Sequence, residues 1–109
     1  MAKADKLQGS LDLLVLKILS RRAPLHGYAI MTAIEEISGE VLRVEEGSLY
    51  PALQRLLLKG WVKAEWKITE TNRRARYYTL TAAGRKQLGI ELSEYEQLIA
   101  AIGRVLQSA

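Results

Sequence analysis

Residues 48–80 read SLYPALQRLLLKGWVKAEWKITETNRRARYYTL, and within this stretch the period of the apolar positions changes from helical to extended. Leu49, Leu53, Leu56 and Leu57 fall at i, i+4, i+7 and i+8, one buried face of a helix, so the spacing predicts a helix over 48–59. Ser48 is placed as its N-cap and Pro51 in its first turn, where a missing N–H has no intrahelical partner. Gly60 closes it. From Val62 the period is two: Val62, Ala64, Trp66 and Ile68 alternate with Lys63, Glu65, Lys67 and Thr69, the pattern of a half-buried strand. A turn over 70–73 and a return strand over 76–80 complete a hairpin with a charged tip.

Upstream, Leu11, Leu13 to Leu16, Ile18 and Leu19 form a short helix that is apolar almost all round, broken by Asp12 and Lys17, and such a helix must be covered on more than one side. Pro24 ends it. A second helix starts near Gly27, with Ile30, Ile34 and Ile37 on one face and Ser38-Gly39 as its stop. Downstream, Thr81 caps a last helix to about Leu106, in which Leu88, Leu92, Tyr95, Ile99, Ile102 and Leu106 are spaced 4, 3, 4, 3, 4 as a heptad seam.

The fold class is therefore α+β, mostly α: a winged helix-turn-helix over residues 1–80 followed by a dimerisation helix over 81–109. A monomer of this size has too little surface to cover both the first and the last helix, so a homodimer is expected. Its interface would be built from Leu11, Leu14, Leu88, Leu92, Tyr95, Ile99, Ile102 and Leu106.

The length of 109 residues admits one domain plus an appendage. With no Cys and one His, thiol chemistry, disulfides and Cys/His metal sites drop out, and neither a metal nor a cofactor is expected. Apolar runs such as Leu13 to Leu16 are far short of the ~20 residues of a membrane span, and a cytoplasmic protein with no membrane partner is expected. The net charge of +4 is unevenly placed. Residues 1–40 carry five basic and five acidic groups, residues 41–88 ten and four, and residues 89–109 one and three. A basic middle segment is the footprint of a polyanion partner such as double-stranded DNA, or else a device for solubility.

Opposite the leucine stripe of the third helix lie Ser48, Tyr50, Pro51, Gln54, Arg55 and Lys59. Arg and Gln pair with base edges, Ser and Tyr donate to phosphates, and a helix start attracts phosphate. The hairpin adds Arg73, Arg74 and Arg76, and residues 71–90 hold five basic groups and no acidic one. Arg76 has an alternative partner in Glu65 across the strands. His26, beside Gly27 at a helix start, reads as a structural hydrogen-bonding residue, and Trp61 and Trp66 as packing under the wing. Glu45 and Glu46 suit a helix N-terminus electrostatically. No paired acid and base or nucleophile is present, so an enzyme is the weakest reading.

The blocks LQGSLDLLVLKIL, PLHGYAI, EEGSLYPALQRLLLKGWV and RRARYYTLTAAGRKQL, followed by one closing helix, resemble the PadR family of bacterial transcriptional regulators. The short last helix is similar to the compact branch of that family, and EYEQLIAAIGRVL to small acidobacterial members. The resemblance implies a homodimeric repressor-type protein with a recognition helix at 48–59, a wing at 62–80 and a dimer contact between the last and first helices. It implies DNA contacts at Tyr50, Pro51 and Arg55. Family members with known effectors hold flat aromatic ligands at the dimer centre, where the nearest aromatic here is Tyr95 in place of Trp, a seam position that reads equally as plain core. Two other classes compete: a sensor whose dimer cleft is the main site, and a coiled-coil module for a different protein.

Overall fold

The computed structural model describes residues 2–109, with side chains from Ser10 onward. Seven elements follow one another: α1 (Ala2–Arg21), β1 (Leu25–His26), α2 (Gly27–Ile37), α3 (Glu46–Leu58), β2 (Val62–Ile68), β3 (Arg74–Leu80) and α4 (Ala82–Gln107). This is a winged helix-turn-helix with one long C-terminal helix.

Helix α1 is longer than its apolar segment and is covered on several sides, touching α2, α3, β3 and α4. Leu11, Val15, Leu16 and Leu19 enter a core shared with Ile30 and Ile34 of α2 and with Leu49, Leu53 and Leu56 of α3. Each buried leucine or isoleucine contributes about 1.5–3 kcal/mol of burial free energy, so this core holds the three-helix body together. Ile37, expected on the buried face of α2, is exposed: the helix ends there and the chain turns away through Gly39 and Glu40, both at positive φ.

His26 caps α2, its Nδ1 accepting from the Ala29 N–H at 3.2 Å. Helix α3 starts two residues earlier than its sequence suggests. Glu45 is the N-cap residue, in an extended conformation and with no side-chain cap bond, and its carbonyl accepts from the Ser48 and Leu49 N–H groups. Ser48 therefore lies inside the helix, and the Glu46 carboxylate in the first turn complements the helix dipole. Pro51 becomes the sixth helical residue, so the carbonyl it leaves without a helical donor is that of exposed Gly47. Solvent can reach that end. The helix stops as expected: Gly60 sits at φ +76°, its N–H donates to Leu57 and the Trp61 N–H to Leu56, a Schellman pair.

The sheet has the order β1-β3-β2, all antiparallel. Strand β1, two residues long, carries too little pattern to be read from sequence; it exists because Leu25 and His26 meet Tyr78 and Tyr77 of β3. In the wing, Val62 faces Leu80, Ala64 faces Tyr78, Trp66 faces Arg76 and Ile68 faces Arg74. One side of the hairpin thus carries all four apolar residues of β2, as their alternation requires. Its cover does not run the full length: Val62 is buried, whereas Trp66 is 55% and Ile68 61% exposed. The reading of Trp66 as packing under the wing is corrected accordingly; Trp61, at the wing's base, does pack against the core.

Thr81 caps α4, accepting from the Gly84 N–H at 3.0 Å and donating to the Gly60 carbonyl at 2.7 Å. The first part of α4 lies on α1 and β3 of its own chain, and the rest projects, giving extents of 59 × 28 × 23 Å. Two residues assigned to a dimer seam belong to this intramolecular packing. Leu11 is 1% exposed and Leu88 is also buried, so both are enclosed by their own chain. Leu14 and Leu92 are half-buried, and Tyr95, Ile99, Ile102 and Leu106 are exposed.

Candidate nucleic-acid interface

The six polar positions of α3 divide into two groups. Pro51 and Gln54 are exposed, together with Leu58, which lies off the leucine stripe and is 78% exposed, while Tyr50 is partly exposed with its ring turned onto the start of α2. Ser48 is half-buried. Arg55 donates from Nη2 to Asp12 Oδ1 of α1 at 2.8 Å, the one ion pair among the described residues. Lys59 folds back over the Trp61 ring, 4.8 Å from its centroid. The helix thus presents one amide and an apolar tip outward, lays its phenol ring along α2, and has its two cations engaged, Arg55 with α1 and Lys59 with the adjoining Trp61 ring.

Two sequence blocks that are separate in the chain interlock here. The Tyr50 ring lies against Gly27 so closely that a Cβ at residue 27 would stand 2.5 Å from Tyr50 Oη. Glycine at the start of α2 is what allows α2 and α3 to meet at this angle. Beside this contact is an open groove of about 860 Å³ between the start of α2, Tyr50 and the wing, with Tyr28, Trp66, Arg73, Arg74 and Arg76 on its walls. Burial pushes the Tyr78 phenol above the ordinary tyrosine range; the Arg76 guanidinium opposes that shift and Tyr50 adds to it. Tyr78 therefore stays a neutral floor to the groove at any physiological pH.

Arg73, Arg74 and Arg76 all line this groove. Arg76 does not pair with Glu65, because the register sets Glu65 opposite Tyr77 and turns it to the other face of the hairpin. The tip is ordered by its own bonds: the Thr69 N–H donates to the Arg73 carbonyl at 2.7 Å, and the Arg73 N–H to Thr69 Oγ1 at 3.2 Å. Tyr95 lies outside this groove, on the projecting part of α4. Among the described residues there is no group of three or more acidic or histidine side chains able to hold a metal, and no helix long and apolar enough to cross a membrane.

Sequence reasoning missed Tyr28, Leu58, Trp66 and Ile68 as surface residues of this side. For Leu58 a signal was present, since it is the one leucine of the run 56–58 outside the stripe. For Trp66 and Ile68 none was, because alternation assigns a face without saying where its cover ends.

Known proteins share this fold. The fold is similar to a transcriptional regulator from Clostridium thermocellum (TM-score 0.83, 29% identity, covering 92% of this chain and 96% of that one). It is also similar to a PadR-like transcriptional regulator from Bacillus cereus (TM-score 0.80, 25% identity, 96% and 99% covered). In sequence, 70 residues are 30% identical to a negative transcriptional regulator, PadR, of Bacillus subtilis, covering 64% of this chain and 38% of that protein. Over 86 residues the chain is 45% identical to an uncharacterized transposon protein of Streptomyces fradiae, covering 79% of this chain and 22% of that protein. The model of the Transcriptional regulator PadR-like family matches residues 15–90, from the core of α1 through α3 and the wing into α4. With the winged fold, the exposed face of α3 and the arginine-lined groove all inside that match, the chain belongs to the PadR-like family of transcriptional regulators.

Proposed function

We propose that the protein is a repressor that binds, as a homodimer, a DNA operator of two related half-sites. The observation that carries this reading is the convergence of Tyr50 from α3 and Arg73, Arg74 and Arg76 from the wing on one groove, with Gln54 exposed on the same helix. In this reading α3 lies in the major groove, where Gln54 and Tyr50 meet base edges, and the wing arginines neutralise phosphates alongside. Two copies joined through the exposed seam of α4 would set their recognition helices about one helical turn, ~34 Å, apart. Repression is supported by the likeness to the Bacillus subtilis relative, a negative transcriptional regulator.

A gel-shift with the DNA upstream of the protein's own gene tests the reading directly. A retarded complex that survives competition by random DNA is expected, and no shift at low salt would overturn it. Arg73→Ala should weaken binding similarly on cognate and random DNA, and lower the slope of log K against log salt by about one, as the loss of one phosphate contact does.

Arg55 requires its own measurement because it starts out paired with Asp12. If Arg55 leaves Asp12 to reach a base, Arg55→Ala should cost ~1–3 kcal/mol on the cognate site and little on random DNA. Equal losses on both would assign it instead to holding α3 against α1.

A further inference from the structure

The wing carries two arginines whose charges meet an aromatic ring and no carboxylate. The Arg74 guanidinium stands 4.7 Å and that of Arg76 5.8 Å from the centroid of the Trp66 ring. The register produces this stack: Trp66 lies directly opposite Arg76, and Arg74 is two residues further along the same face. Neither arginine forms an ion pair among the described residues, and Arg76 Nε is enclosed with no hydrogen-bond acceptor. The ring itself is more than half exposed and lines the groove beside Tyr50. As core packing such a tryptophan is wasted. As a platform it has a use, since arginine side chains lose considerable rotamer freedom on binding and a planar guanidinium stacks well on an indole.

We infer that Trp66 is a positioning residue for DNA: it holds Arg74 and Arg76 in a preordered fork aimed at phosphodiester oxygens of the strand bordering the groove. This rests on the DNA-binding reading above and adds a residue to it. Stacking leaves both charges in place for phosphate, whereas a carboxylate partner would have to be displaced first. The ring thereby raises affinity without carrying charge or reading sequence.

Gel-shifts and a fluorescence measurement together test the inference. Trp66→Ala should weaken binding about tenfold on cognate and random DNA alike while leaving the salt slope unchanged, because the number of neutralised phosphates is the same. Trp66→Phe, which keeps a ring, should recover most of the loss. In an Arg74→Ala/Arg76→Ala background, adding Trp66→Ala should change affinity by less than about twofold. A tenfold loss there would mean the ring meets DNA itself and would overturn the positioning role; so would a fall in slope with Trp66→Ala alone, which would mean that a phosphate contact is lost outright and not merely less well preordered. The stack is checked without DNA in Trp61→Phe protein, where Trp66 is the remaining tryptophan: its emission should shift when Arg74 and Arg76 are replaced by alanine. Unchanged emission overturns the stack. A shifted emission in a protein that retards no DNA would sink the DNA-binding reading and leave the stack standing.

Discussion

Replacing Gly84 by alanine should lower the midpoint of thermal unfolding by roughly 8 °C, although alanine is the better helix former. Gly84 is in the first turn of α4, and a Cβ built there would overlap the backbone carbonyl of Trp61. That carbonyl cannot easily give way. It accepts from the Thr81 N–H at 3.0 Å, and the Trp61 N–H holds the last turn of α3 through Leu56. Moving it would disturb the end of α3 and the start of α4 together. In an open helix, glycine to alanine gains about 1 kcal/mol; forcing an extra carbon into packed backbone costs about 3 kcal/mol or more, and the second effect wins. For a domain of this size each kcal/mol is worth about 4 °C. Gly89, on the same helix with nothing within 4 Å of an added Cβ, supplies the control. Gly89→Ala should hold or raise the midpoint at the same protein concentration. A raised midpoint for Gly84→Ala would disprove the close approach of α4 to the base of the wing.

Introducing Ile99→Asp and Ile102→Asp together should convert the protein to a monomer and weaken binding to a two-half-site operator by about a hundredfold or more. Tyr95, Ile99, Ile102 and Leu106 form a line of exposed apolar side chains along the projecting part of α4, beyond the reach of the chain's own core. Two carboxylates there would have to be desolvated in any helix-helix contact, at a cost that no rim interaction offsets. Among the described residues these positions lie outside the buried core, so circular dichroism should still show the folded winged domain. Losing the second binding module removes its effective concentration, which is commonly worth 10² to 10⁴ in apparent affinity. Affinity for a single half-site should change little. Sedimentation showing an unchanged mass would reject the α4 seam, and unchanged operator affinity in a proven monomer would reject two-half-site binding.

Much of the architecture was legible because it depends on local rules. The leucine spacing of 48–59, the alternation from Val62, the cap at Thr81 and the stop at Gly60 each need only a few neighbouring residues. The helix-hairpin order followed from them. Two of the corrections have one cause: a face on a helix or strand is visible in sequence, but its partner is not. Leu11 and Leu88 looked like seam residues and are enclosed within one chain, while Trp66 and Ile68 looked half-buried and stand clear of the body. The displaced start of α3 has a different origin. Ser48 is the better capping side chain, yet the turn begins at Glu45, whose carbonyl receives the first helical bonds without any side-chain cap.

By itself, then, the amino-acid order determined the four helices and the two strands of the wing, where α3 stops, and that the basic charge gathers in residues 41–88. These follow from periodicity, capping and composition, which act over a few residues. Only the tertiary structure decided that Arg55 pairs with Asp12, 43 positions away, that Tyr50 closes on Gly27, and that Arg74 and Arg76 share the Trp66 ring. Those contacts are set by register and by the angles at which packed elements meet, which depend on the whole core at once.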